Sequence, residues 1–172
     1  MSLVLGIDPG SRITGYGLID VQGSRLSYVD CGCIRTEESA LPARLKKIFD
    51  GLSQLVETHR PSQAAIEEVF VGRNASSALK LGQARGAAMA ACLQSKLEVS
   101  EYSARQVKQA VVGTGAAQKG QVQHMVKALL GISDTLAEDA ADALAVAICH
   151  TNTQRSLIGL AGAKSFSRKR LR

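Results

Sequence analysis

LVLGIDPGSRITGYGLI, residues 3–19, is the stretch on which the fold turns. The apolar run over 3–8 ends in Asp8 and is followed at once by Pro9-Gly10, a strand and then a turn. Residues 13–19 alternate with glycines. A third β-rich stretch over 26–34 follows the turn Gln22-Gly23-Ser24, so the chain opens as an antiparallel meander. In an alternating strand Val4, Gly6 and Asp8 share one face. Gly6 is expected to leave open space beside the carboxylate. A carboxylate at a strand end stands at the rim of a sheet, where ligands are met. Asp-Pro-Gly is also ordinary turn chemistry, so this segment alone leaves a capping role open.

Working outward, residues 41–58 place Leu45, Ile48, Leu52, Leu55 and Val56 at helical spacing, with Pro42 suited to the first turn. A strand is expected over 64–70, a long Ala-rich helix over 76–96 and a short strand over 99–102. Two helices follow over 104–112 and 118–130, with Gly113–Gly115 as a hinge, and a final helix over 136–151. The hinge lacks the G-x-x-x-x-G-K-[ST] pattern of a phosphate loop. Three strands followed by strands alternating with helices predict an α/β fold, a mixed five-stranded sheet with helices on both faces. Residues 1–153 are read as one domain. Residues 154–172, rich in Ser, Gly, Lys and Arg, are read as a flexible basic tail.

The chain has 172 residues, 45% hydrophobic and 21% charged, which excludes a disordered chain and leaves room for a real core. No apolar run approaches the roughly 18–20 residues of a membrane span. No basic segment precedes the first apolar stretch, so a signal peptide is not expected. Cys31, Cys33, Cys92 and Cys149 form no disulfide framework, and with His59, His124 and His150 they form no zinc motif. Reduced thiols and a cytoplasmic location are expected. The net charge of +6 is unevenly spread. Residues 1–68 carry net −2, 69–133 net +6, 134–142 net −4 and 143–172 net +6. Two basic segments thus flank a compact acidic one. Basic charge points towards nucleic acid only weakly, because anionic metabolites also select it.

The acids are more specific. Glu67 and Glu68 interrupt the otherwise apolar AIEEVF, and a buried carboxylate is costly unless paired or metal-bound. Period two puts them on opposite faces, so only one can join Asp8, and the pattern alone does not choose. In EDAADALAVAICH (138–150), Asp139 and Asp142 share one helical face among small and apolar neighbours, while Glu138 is expected to point into water. Dipole-complementing surface acids at a helix start would look similar. Four carboxylates suit hard divalent cations, Mg²⁺ or Mn²⁺. Such ions beside basic segments suit phosphodiester hydrolysis, and the flanking Lys and Arg would bind phosphates. Gly82, Gly86 and Ala90 recur on the long helix, as either a dimer face or a helix-on-sheet contact.

GIDPGSRITGYG, IEEVF, NASSALKLGQARG, ARQVKQAVVGTGAAQKGQV and DAADALAVAICH occur in this order from Leu3 to about His150. Together they resemble the RuvC family of bacterial Holliday junction resolvases. A lone GIDPG would not, since actin-like ATPases start similarly. Those need two such domains, and 172 residues supply one. A non-catalytic module of this fold would be expected to lack a carboxylate, and none is missing. The resemblance implies a ribonuclease H-like fold, a homodimer and Mg²⁺, with Mn²⁺ as a substitute, two ions per active site. It implies paired symmetric nicks at four-way DNA junctions during recombination and repair, in cooperation with the RuvA–RuvB branch-migration motor. It makes Asp8, Glu67 rather than Glu68, Asp139 and Asp142 the metal-binding catalytic set. Some relatives carry His at the position of Asp139. It makes Phe70 a base-stacking aromatic, and Lys108 and Lys119 phosphate contacts near the scissile bond. Arg73, Asn74, Ser76, Lys80, Arg85 and Arg105 in the matching basic runs complete the expected DNA-binding set.

Overall fold

The structure, a computed structural model, describes residues 2–69 and 74–169, with the side chains of the final helix described through residue 159. The elements are β1 (Ser2–Asp8), β2 (Ile13–Gln22), β3 (Arg25–Arg35), α1 (Leu41–His59), β4 (Gln63–Glu67), α2 (Ala75–Gln94), β5 (Val99–Tyr102), α3 (Ala104–Val112), α4 (Lys119–Leu130) and α5 (Glu138–Lys169). They form one five-stranded sheet in the order β3-β2-β1-β4-β5. β1 pairs antiparallel with β2 and β2 with β3, whereas β1–β4 and β4–β5 are parallel. This is the expected mixed sheet.

Alternation along the central strands divides the interior in two. Leu5, Ile7, Leu18 and Ile66 point to one side and pack with Ile48, Leu52 and Val56 of α1 and Ala84, Ala88 and Ala91 of α2. Val4, Ile19 and Ala65 point to the other. There they meet Val107 and Val111 of α3, Val122 and Val126 of α4, and Leu144, Ala147 and Ile148 of α5. Helices therefore cover both faces, and burying each large apolar side chain contributes about 1.5–3 kcal/mol.

Three glycines set how closely α5 lies on the sheet. A Cβ at Gly6 would overlap the carbonyl of Ala143 and the backbone nitrogen of Ala147. One at Gly15 would overlap the carbonyl of Asp139, and one at Gly17 the side chain of Leu144. The expected open space beside Asp8 is thus corrected: the backbone of α5 fills it. Missing side chains on β1 and β2 bring the first turns of α5 directly onto the strands.

Two boundaries differ from those read in the sequence. β4 stops at Glu67 rather than reaching residue 70, because its partners stop there: β1 runs into Pro9, and β5 ends at Tyr102 before Ser103 caps α3. α5 continues to Lys169, so residues 154–169 of the segment read as a flexible basic tail carry helical backbone. Hydroxyls that could have broken it bond back along the helix instead. Thr151 donates to Ala147 O at 3.0 Å, Thr153 to Cys149 O at 2.9 Å and Ser156 to Asn152 O at 2.9 Å. Arg155 also donates to the carbonyl of Gly23 in the β2–β3 turn, at 2.6 Å.

Candidate active site

Asp8 closes β1 on the α5-facing side, in phase with Val4 and Gly6. The turn behind it is fixed from two directions. Thr14 is buried and donates to Gly10 O at 2.9 Å, and Thr36 donates to Ser11 O and Arg12 O at 3.1 Å each. Glu67 ends the neighbouring strand β4 one register step past the Ile7–Ile66 pair, and it shares a face with Ala65. Glu68 lies beyond the strand and is exposed. Pleat and exposure therefore select Glu67, the choice the alternating pattern left open. The first turns of α5, seated on Gly6 and Gly15, bring Asp139 and Asp142 to the same place.

Three of these acids are pushed upward, and Asp8 feels the other three. Asp8 is pushed from its ordinary value of 3.8 to about 7, first by burial and then by repulsion from Glu67, Asp142 and Asp139, with Lys119 opposing. Burial and then Asp142 raise Glu67, against the pull of Lys119 and Lys108. Burial also raises Asp142, against its hydrogen bond and charge attraction to Lys119. Glu67, Asp142, Lys108 and Lys119 line a cleft floored by Ala104, Val107, Val122 and Ala145. The Lys119 ammonium donates to Asp142 Oδ2 at 2.8 Å and also to Glu138. Burial alone would lower Lys119, but these two acids push it upward.

Among the described residues, no three His, Cys, Asp or Glu side chains already stand as a group spaced to hold a metal ion. The donor set nonetheless fits one. It is all carboxylate, no imidazole or thiolate among the described residues lines the cleft that holds Glu67 and Asp142, and repulsion of the kind that raises Asp8 is what a divalent cation relieves.

The family model for crossover junction endodeoxyribonuclease RuvC matches residues 4–150, the span that carries all four acids and both lysines. The chain belongs to the RuvC family. A RuvC from Francisella tularensis subsp. novicida is 56% identical over 170 residues, 99% of each chain. The Thermus thermophilus RuvC bound to a Holliday junction substrate superposes with a TM-score of 0.85 at 32% identity, over 91% of this chain and 96% of that one. A yeast mitochondrial Holliday junction resolvase shares the fold, with a TM-score of 0.69 at 14% identity over 98% of this chain and 86% of that one.

The remaining RuvC-type positions are scattered. Lys108 and Lys119 stand in the cleft, and Ser76 and Lys80 are exposed on α2. Asn74 caps α2 by accepting from the Ser77 N–H at 3.2 Å. Arg85 is not brought to the acids. It is 20% exposed and pairs with Glu101, tying α2 to β5. Arg105 is exposed and lines a polar groove between α3 and α5 with Gln106, Gln109 and Asn152. Phe70 and Arg73 lie outside the described residues. Glu138 is exposed, as read from the sequence, and in addition pairs with Lys119. Cys33 has no place in the sequence-derived site either. It pairs with Gly15 across β2–β3, and Asp139 is close enough to raise it further after burial does. Neither contact has a sequence signature, because each depends on where α5 docks.

Proposed function

We propose that this RuvC family member resolves four-way DNA junctions by paired, symmetric, divalent-metal-dependent nicks. The observation that supports this best is the convergence of Asp8, Glu67, Asp139 and Asp142, from two strand ends and one helix, beside Lys108 and Lys119. In this reading the four acids hold Mg²⁺, with Mn²⁺ as a substitute, as two ions. When bound, the ions supply an activated water and stabilise the leaving oxygen. Lys108 and Lys119 hold the phosphate that four carboxylates would otherwise repel. The apolar floor keeps the acids in a poorly solvated setting, where each charge acts strongly.

The proposed homodimer is supported by α2. Ala84, Ala88, Ala91 and Cys92 face the core, so Gly82, Gly86 and Ala90 are not the helix-on-sheet contact. These three are exposed, nothing stands above Gly82 or Gly86, and Leu79 and Leu93 flank them at 66% and 55% exposure. A small-residue stripe between exposed leucines suits close approach of a second copy. Phe70 as the stacking aromatic rests on its sequence motif. So do Arg73 as a DNA contact and cooperation with a RuvA–RuvB motor. Residues 1–153 are proposed as the nuclease domain, followed by a basic C-terminal segment over 154–172. Among the described residues no helix is long and apolar enough to cross a membrane, and a cytoplasmic location is part of this reading.

The test is a labelled four-way junction incubated with the protein in Mg²⁺, beside Asp8→Asn and a chelator control. Paired symmetric nicks in the wild-type Mg²⁺ lane alone are expected. Equal cutting by Asp8→Asn overturns the site.

A further inference from the structure

We infer that Glu138 is a positioning residue for Lys119, the second seat to which the ammonium moves when Asp142 gives its oxygens to a divalent cation. This rests on the proposed metal site. Lys119 is the first residue of α4 and Glu138 the first of α5, so the two helix starts face each other across the cleft mouth. One ammonium bridges two unlike acids. Asp142 is the inner one at 18% side-chain exposure, and Glu138 is the outer one at 59%.

Three features fit a shuttle better than a static ion pair. An ammonium has three donors and no lone pair, so it can hold both acids at once and keep one when the other is withdrawn. A cation at a helix N-terminus is disfavoured by the macrodipole, and α4 has no acid in its first turn to offset it. The compensation comes from Asp142 and Glu138 on another helix. Third, Asp142 cannot serve Lys119 and a cation equally. Among the described residues Glu138 is the one ion-pair partner Lys119 has outside the proposed ligand set, so without it Lys119 would compete harder for Asp142. With Glu138, it stays paired and stays at the mouth, where a phosphate enters. Glu138 therefore eases cation entry by acting on Lys119, and touches neither cation nor substrate.

A double-mutant cycle on the DNA-free protein tests this, with free Mn²⁺ followed by electron paramagnetic resonance. Wild type, Glu138→Gln, Lys119→Met and the double variant are titrated, with Asp8→Asn as the site control and Glu138→Asp as the conservative rescue. Glu138→Gln is expected to weaken Mn²⁺ binding about three- to fivefold. Lys119→Met is expected to tighten it, the double variant to match Lys119→Met, and Glu138→Asp to recover most of the affinity. Equal weakening by Glu138→Gln with and without Lys119 would show that only long-range charge is at work and overturn the inference. So would no weakening at all. If wild type binds no Mn²⁺ that Asp8→Asn removes, the metal site itself fails and the inference falls with it.

Discussion

Asp8→Asn should abolish cutting and yet stabilise the protein when no metal is present. In the metal-free protein Asp8 is held near a pKa of about 7 against an ordinary 3.8. The sign follows from that direction. A group whose folded pKa is raised contributes stability that is present below its unfolded value and is lost as pH rises through the folded value. Asp8 is therefore favourable to the fold below about pH 4, and at pH 8 it is a net cost. A tenfold change in proton affinity is worth about 1.4 kcal/mol, so the cost at pH 8 is about 2–4 kcal/mol, most of it removed by a neutral amide of the same shape. In a chain of this length 1 kcal/mol moves Tm by about 2–4 °C. Thermal unfolding in chelator at pH 8 should show Asp8→Asn at least about 4 °C above wild type. The gap should narrow as pH falls and close near pH 4. Added Mg²⁺ should raise the wild-type Tm and leave the variant unmoved. Junction cutting should fall at least about 100-fold, since even groups that only support a metal ligand are worth 10–100-fold. A variant no more stable than wild type at pH 8, or a gap that ignores pH, would refute the view that burial and neighbouring acids together disfavour the charged form of Asp8.

Other substitutions probe the frame. Gly6→Val should cost more than about 3 kcal/mol and destroy cutting, because its side chain would meet the backbone of α5 at Ala143 and Ala147. Chemical denaturation reads the first effect and the junction assay the second. Gly86→Arg on the exposed stripe of α2 should leave Tm within about 2 °C and convert the protein to monomers in light scattering. Tyr102→Phe should cost about 1–2 kcal/mol by leaving His150 Nδ1 without the hydroxyl partner now 2.9 Å away, while Nε2 keeps Gln63 at 3.3 Å. Burial lowers His150, with Glu98 opposing, so the stability it contributes is present above about pH 6.5 and lost as pH falls. Because the raised carboxylates shift stability the other way, the readout is the wild-type advantage over His150→Gln in urea unfolding, which should shrink from pH 8 to pH 5.

The local features were legible in residues 3–19. The strand, the Asp-Pro-Gly turn and the returning strand follow from turn chemistry and alternation, and so does the placement of Asp8 at a strand end. The helices were legible where one face is apolar, as in α1, where Ile48, Leu52 and Val56 are buried. What was not legible depends on approach between distant segments. Gly6 reads as empty space in one dimension and as the seat of α5 in three. Glu67 and Glu68 are equivalent in a pattern of period two until Ala65 is known to face α5. The Arg85–Glu101 pair between α2 and β5 and the Glu138–Lys119 pair between α5 and α4 have no trace in the sequence, because each joins segments far apart in the chain. The end of β4 was missed because a strand ends where its neighbours end, whatever its own residues prefer.

The most direct measurement is the anomalous difference density of crystals grown with Mn²⁺. A peak enclosed by Asp8, Glu67, Asp139 and Asp142, absent from Asp8→Asn crystals, is the predicted result. Mn²⁺ bound elsewhere, or a peak that survives Asp8→Asn, would contradict it.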